Sequence, residues 1–288
     1  MRRAGLTWNG DPRVKPPYGA AEIDWGHPLA SGLVLATWST ERAGSAFDFG
    51  LGRRGTFTDP LWSSGVITGP DIANAGSRYV TVSAPQLAIG SIWTRYFVRT
   101  LPATSHIYGL FSWVNSADAE PNVTYDKVIT LYPESGGQVD TRYYVYDGAS
   151  KSFRGSNIGA WSAALNRVGS WGMTFDGGTL RGYRDGMSDG SLAAGSTYVG
   201  YTTPAVRIGA RVNSFDGSGI ATERFDGVQD TFLAWSCILP ADAFLQLHAE
   251  PYAMLRPRVS RRYFVPAAAG GMLPYTPLRR RQRRRLLT

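Results

Sequence analysis

An all-β sandwich or barrel is the fold class this sequence predicts, and three observations carry the prediction. Segments of strand length follow one another at short intervals, with almost no helical run between them. Charged residues make up only 18% of the 288, while Gly (34), Trp (9) and Tyr (15) are plentiful, a composition that favours strands and tight turns over helices. Hydrophobic residues are 43% of the chain, enough for a sizeable core, and the length suits one large β domain with extensions or two small domains.

Taken in chain order, residues 1–30 are rich in Pro and Gly and read as an extended arm with few regular hydrogen bonds, since Pro lacks a donor and restricts its predecessor. "GLVLATWS" (32–39) is the first strand, a short apolar run covered on both sides. "RYVTVSA" (78–84) alternates, with Val80 and Val82 on one face and Tyr79, Thr81 and Ser83 on the other. "SIWTRYFVRT" (91–100) places Ile92, Thr94, Tyr96 and Val98 together. "HIYGLFSWV" (106–114), "KVITLYP" (127–133), "TRYYVYDG" (141–148) and "RVGSWGMTFDG" (167–177) continue the pattern. "TLRGYRDG" (179–186), "AVRIGARV" (205–212) and "FDGVQDTFLAWSCIL" (225–239) complete it. One helix is predicted, "PADAFLQLHAE" (240–250): Pro240 suits a first-turn position, Asp242 suits the positive helix end, and Phe244, Leu245 and Leu247 supply an apolar face. Pro, Ala, Gly and Arg without strand periodicity then mark 256–288 as a tail, with "AAAGG" (267–271) as its flexible joint. The expected organisation is an arm (1–30), a β domain (31–255) and a tail (256–288).

Asp-Gly occurs six times, with Asp at 147, 176, 185, 189, 216 and 226. Repetition favours turns over catalysis, because Asp bonds the local backbone and Gly accepts positive φ. "WGMTFDGGTLRGYRDG" (171–186) then reads as strand, tight turn, strand, tight turn. Trp171, Thr174, Phe175, Asp176-Gly177, Leu180, Tyr183 and Asp185-Gly186 resemble the central signature of laminin-G-like, or concanavalin-A-like, jelly rolls. "VRIGAR" (206–211) is similar to the strand that follows in that family, and residues 225–251 to its closing strand and short helix. The resemblance implies a sandwich of two antiparallel sheets in which the closing strand lies beside "GLVLATWS". The layout of the ends, "DWGHPLASGLV" (24–34) and "EPYAMLRPRVSRRYFVP" (250–266), resembles proteins of tailed bacteriophages. That implies a virion component, either a capsid decoration or minor capsid protein or a tail part, made in the host cytoplasm and partnered by other virion proteins or copies of itself.

Charge is segregated. Of the 30 basic residues, 20 lie in residues 1–251 with all 22 acidic ones; ten Arg and no acidic residue fall in 252–288. Arg279, Arg280, Arg281, Arg283, Arg284 and Arg285 form a run that repels itself until a partner neutralises it, either nucleic acid through phosphate contacts or an acidic protein groove. The single cysteine, Cys237, excludes an intrachain disulfide and sits in an apolar setting that predicts a buried, inert thiol. "MRRAGLTWNGDP" lacks the apolar stretch of a secretory signal, and no apolar run approaches the ~20 residues of a membrane span.

No catalytic constellation emerges, and a non-enzymatic protein is expected. Glycosidases of this architecture carry Glu-x-Asp-x-(x)-Glu on one strand. "EIDWGH" (22–27) offers Glu22 and Asp24, but Gly26 and His27 stand where the second Glu is needed. His27, His106 and His248 are too far apart in sequence for a zinc motif, and neither a nucleophile elbow nor a phosphate loop occurs. No cofactor is expected, though "FDGSG" (215–219) and "NSADAEPN" (115–122) could offer oxygens to calcium, which some members of the family bind. The second functional expectation is a glycan-binding adhesin or receptor-binding module, with Trp62, Trp113, Tyr125 and Trp161 as loop aromatics to stack on sugar rings. Against it stands the ordinary use of Trp and Tyr in sandwich cores and interfaces.

Overall fold

The computed structural model describes residues 8–17, 19–38, 46–49, 53–57, 62–64, 68–72, 80–99, 108–115, 125–134, 138–146, 150–155, 159–160, 166–194, 204–209 and 226–258. The chain divides into one unit spanning 1–258 and a second spanning 259–288, and every described residue belongs to the first. Arg279–Arg285, Trp161 and the calcium-offering loops beyond Asn115 therefore lie outside the described residues.

The described strands form two large antiparallel sheets and a short ribbon. Among the first elements are β1 (Ala21–Ile23), β2 (Leu33–Thr37), β3 (Ala46–Phe49), β4 (Arg53–Phe57), β5 (Trp62–Ser64), β6 (Thr68–Ile72), β7 (Val80–Ser83) and β8 (Gly90–Val98). Next come β9 (Tyr108–Asn115), β10 (Tyr125–Glu134), β11 (Gln138–Tyr146), β12 (Ser150–Arg154), β13 (Gly159–Ala160) and β14 (Arg167–Phe175). The last are β15 (Thr179–Arg184), β16 (Met187–Ala193), β17 (Pro204–Ile208), β18 (Gly227–Trp235), helix α1 (Ala241–Ala249) and β19 (Leu255–Pro257). The nine-stranded sheet runs β12-β11-β10-β9-β17-β7-β4-β3, with β13 on β11. The eight-stranded sheet runs β16-β15-β14-β8-β18-β6-β5, with β2 on β18, and β1 pairs β19. The closing strand does lie beside the first long one: Phe232 faces Thr37 and Leu233 faces Ala36.

Alternation decides what fills the sandwich. Val80, Val82, Phe111, Trp113, Ile129, Tyr143, Val206 and Ile208 of the nine-stranded sheet meet Ile92, Tyr96, Val98, Trp171, Met173, Phe175 and Phe232 of the other, all buried in one cluster. Trp171 Nε1 finds Thr141 Oγ1 at 3.3 Å, so this indole satisfies its donor inside the core.

A second apolar layer covers the outer face of the eight-stranded sheet. Trp93, Leu233 and Trp235 point away from the sandwich and pack with Phe244 and Leu247 of α1, and with Trp8, Ile23, Leu29, Tyr252 and Met254. Here the structure departs from the arm expected over 1–30. Pro and Gly do prevent long strands there, but Trp8, Ile23, Leu29 and Ala30 are buried, and β1 pairs β19 from Ala21–Pro257 to Ile23–Leu255. Burying three large side chains outweighs the stretch's poor propensity for regular structure. The indole of Trp235 donates to Leu29 O at 2.6 Å, locking the stretch to β18.

Helix α1 begins after Pro240, which is its N-cap rather than its first-turn residue. Phe244 and Leu247 are buried as expected, while Leu245 is 49% exposed and Ala243 takes the third inward position. Phe244 stacks on Tyr183 with ring centroids 4.0 Å apart and planes 7° from parallel. Gly172 makes room for that ring: a Cβ there would come within 2.4 Å of it.

The two Asp-Gly pairs of the 171–186 stretch are turns. Asp185 (φ 50) and Gly186 (φ 81) join β15 to β16 as a two-residue hairpin loop, the double positive φ of a type I′ turn. Asp176 Oδ1 accepts from Gly178 N and Thr179 N, and its Oδ2 pairs with Arg181. The Arg181 guanidinium, helped by those amides, holds the Asp176 carboxyl below its usual range. Asp189-Gly190 is different: it lies inside β16, beside a register shift, and Asp189 is fully buried, accepting from Tyr143 Oη. Cys237 is half-buried rather than buried; its Sγ sits 3.6 Å from Ser31 O, and desolvation pushes the thiol up.

Candidate functional site

The outer face of the nine-stranded sheet carries polar side chains, some buried and some part-exposed. Where core residues of β7, β17, β9 and β11 point inward, their alternate neighbours point outward. Register aligns these into a row. Thr81 stands opposite Arg207, Arg207 opposite Ser112, Ser112 opposite Val128, and Val128 opposite Tyr144. A second row places Thr130 opposite Arg142, and Arg142 opposite Arg154. With strands about 4.8 Å apart, five strands span about 19 Å.

The chemistry of this face is hydroxyl and guanidinium. Ser112 and Thr130 are fully buried and form its floor, Tyr144 is 8% exposed, and Thr81, Arg207 and Arg142 are part-exposed above them. Asp140, two residues from Arg142 on the same face, is also fully buried. Thr130 Oγ1 has no hydrogen-bond partner among the described residues. A buried hydroxyl left unmet costs about 1–3 kcal/mol.

The aromatics predicted to touch a sugar do not gather here. Trp113 is corrected: on β9 it falls on the core side, opposite Val206 and Lys127, fully buried, and serves packing. Trp62 opens β5 and Tyr125 opens β10, and their side chains lie outside what is described. Sequence reading missed Arg207, Ser112, Thr130 and Tyr144. Their signal was there in the polar positions of otherwise apolar strands, but alternation within single strands does not tell which strands are neighbours.

Two clusters invite a catalytic reading. Glu22 and Asp24 both pair with Arg256, at 3.0 and 3.5 Å, across the β1–β19 ribbon, so each carboxylate faces a guanidinium rather than a second carboxyl across a cleft. On the sealed side, Ser170 Oγ lies 2.9 Å from His248 Nδ1, and Asp185 Oδ1 lies 3.9 Å from the same nitrogen. A nucleophilic triad needs serine and carboxylate on opposite ring nitrogens. Here both share Nδ1, Ser170 is 1% exposed, and Asp185 is engaged by Arg167 and Ser170 N. The trio docks α1 onto β14. Among the described residues no group of three or more His, Cys, Asp or Glu could hold a metal ion, and no described helix is long and apolar enough to cross a membrane.

No family model and no curated protein matches the chain. Solved structures do. The receptor-binding domain of botulinum neurotoxin type G aligns over 76% of this chain and 51% of its own, at 14% identity and TM-score 0.52. Domain 4 of an extracellular arabinanase from Geobacillus stearothermophilus, in complex with arabinotriose, covers 67% and 87% at 14% identity and TM-score 0.44. A heptameric pentraxin from Limulus polyphemus covers 56% and 70% at 14% identity and TM-score 0.43. The topology, with the likeness to the toxin domain, makes the chain a jelly-roll β-sandwich, the class expected from residues 167–251.

Proposed function

We propose that the protein is a non-catalytic glycan-binding module that receives its ligand on the outer face of the nine-stranded sheet. The observation that carries this reading is the part-exposed pair Thr81 and Arg207, opposite each other on β7 and β17, with part-exposed Arg142 of β11 on the same face. Saccharide hydroxyls are donors and acceptors at once. The Thr81 hydroxyl matches both roles, and a planar guanidinium spans two adjacent oxygens. A part-exposed arginine over buried hydroxyls binds such a ligand without paying full desolvation of its charge. The fold is shared with a toxin's receptor-binding domain, which is in keeping with a binding module.

The virion reading anchors the chain through its two terminal stretches. The N-terminal one is folded against its own domain through Trp8, Ile23 and Leu29, so that reading rests on the 259–288 unit alone, and nothing in the fold favours it. The glycan reading is tested by an array of neutral and acidic saccharides probed with the full chain and with Arg207→Ala. The expected result is a defined set of bound saccharides, each weakened about 10- to 100-fold in the variant, as loss of hydrogen bonds to a charged group implies. A blank array, or unchanged binding by a variant that folds normally, overturns it.

A further inference from the structure

Of the seven tryptophans whose side chains are described, six are 7% exposed or less: Trp8, Trp38, Trp93, Trp113, Trp171 and Trp235. Trp25 is 57% exposed. The exception stands out because indole carries the largest apolar surface of any side chain, and an exposed aromatic ring is a ready stacking surface.

The turn that carries Trp25 is rigid. Asp24 N donates to Met254 O at 2.8 Å, His27 N to Asp24 O at 3.0 Å, and Ala30 N to His27 O at 2.9 Å. Asp24 Oδ1 accepts from Gly26 N at 3.2 Å, and His27 Nδ1 accepts from Leu29 N at 3.2 Å. Buried Ile23 and Leu29 pin both ends of the segment. An aromatic displayed on so braced a turn loses little freedom when it binds, which is the condition for a strong contact.

Its surroundings define the chemistry. Arg256 reaches Glu22 Oε1 from Nε and NH2 at 3.1 and 3.0 Å, and Asp24 Oδ1 from NH1 at 3.5 Å. All three side chains keep between 37% and 54% of their surface in solvent, so acceptors and donors remain at the edge of the turn. With Nδ1 accepting, the proton of a neutral His27 sits on Nε2, a further donor. Two carboxylates against one guanidinium leave the patch negative, which disfavours anions.

We propose that Trp25 is the platform of a second, separate binding site, for a neutral sugar ring, with Asp24, Glu22 and Arg256 bonding the hydroxyls. The C–H face of a pyranose covers the indole, while its equatorial hydroxyls meet the carboxylates and guanidinium. The site goes beyond the sheet face of the previous subsection and rests on the same reading of the protein as a glycan binder.

Native-gel affinity electrophoresis of the full chain in soluble neutral polysaccharides (β-1,3-glucan, galactomannan and arabinoxylan) tests it. The variants are Trp25→Ala, Trp25→Phe and Arg207→Ala, each checked for an unchanged thermal transition. The expected result is retardation of the wild type by at least one polysaccharide, with affinity about tenfold or more lower in Trp25→Ala and largely kept in Trp25→Phe. Binding kept by Trp25→Ala but lost by Arg207→Ala overturns the Trp25 site and leaves the sheet-face reading standing. Retardation by none of the three sinks the Trp25 proposal, whatever acidic saccharides the sheet face binds. A wild-type dimer in sedimentation velocity that Trp25→Ala turns into a monomer overturns it in favour of a protein contact.

Discussion

Asp230 shows how much one residue can hold. It sits in the register shift between Gln229 and Thr231, where the bulge aims its carboxylate out of the β18 ladder. There it meets Lys15 Nζ at 2.8 Å, Arg95 NH1 at 3.0 Å and the Tyr252 hydroxyl at 3.0 Å, so three distant segments converge on a fully buried charge. Removing the carboxylate leaves two cations, 17% and 20% exposed, without their shared partner. Asp230→Ala is expected to cost about 3–5 kcal/mol in chemical denaturation; a loss within error of zero would show the cluster to be ornamental. Burial also pushes the Tyr96, Tyr143 and Tyr252 phenols well above their ordinary 10.0, with Asp189 adding to Tyr143 and Asp230 to Tyr252. The folded chain keeps protons that the unfolded chain releases near pH 10. Stability is therefore intact below pH 10 and falls as pH rises beyond it, by about 1.4 kcal/mol per pH unit for each phenol. Absorbance at alkaline pH should show these three ionising together with unfolding rather than before it.

At the scale of elements, the helix and hairpin act as one part. Phe244 of α1 fills the space that Gly172 leaves on β14 and stacks on Tyr183 of β15, and Gly186 brings the hairpin turn against the helix backbone, where a Cβ would lie 2.8 Å from Leu245 Cα. Gly172→Ala is expected to lower stability by about 1–3 kcal/mol, read from denaturant midpoints. This region was also the most legible in the sequence. The Asp185-Gly186 signal named its turn because only certain residues accept two consecutive positive φ values, and the strands Arg167–Phe175 and Thr179–Arg184 fall within a residue or two of their expected ends. Elsewhere legibility failed for physical reasons. β16 was missed because "MSDGSLA" has turn composition, yet Asp189 is accommodated by the buried Tyr143 hydroxyl. β1 was missed because three residues between prolines carry no periodicity, and its pairing with β19 is set by partners more than 230 residues away. Of the candidate site, the residue types were visible in the strands, but the row they form depends on register between β7, β17, β9, β10 and β11, which no single strand encodes.

The described residues of 1–258 form three layers: a nine-stranded sheet, an eight-stranded sheet, and a cap made of α1, the β1–β19 ribbon and segments of 8–30. The cap is why residues 8–17 and 19–30 belong to the domain. Deleting them uncovers Trp235, Leu233 and Trp93 and forfeits the burial of Trp8, Ile23 and Leu29, each worth about 1.5–3 kcal/mol. The truncated chain should bind a hydrophobic dye and melt at least about 10 °C lower than the full chain; an unchanged transition would mean the cap is incidental. Among the described residues of 1–258 the two outer faces differ in polarity: the cap packs apolar side chains on the eight-stranded sheet, while Thr81, Arg142 and Arg207 are part-exposed on the nine-stranded one. That difference is the basis for reading the protein as a binding module. Hydrogen–deuterium exchange of the full chain, with and without a saturating saccharide from the array, tests it most directly. The account predicts protection concentrated in Tyr108–Asn115, Tyr125–Glu134, Gln138–Tyr146 and Pro204–Ile208. Protection absent from all four segments while a saccharide is bound would contradict it.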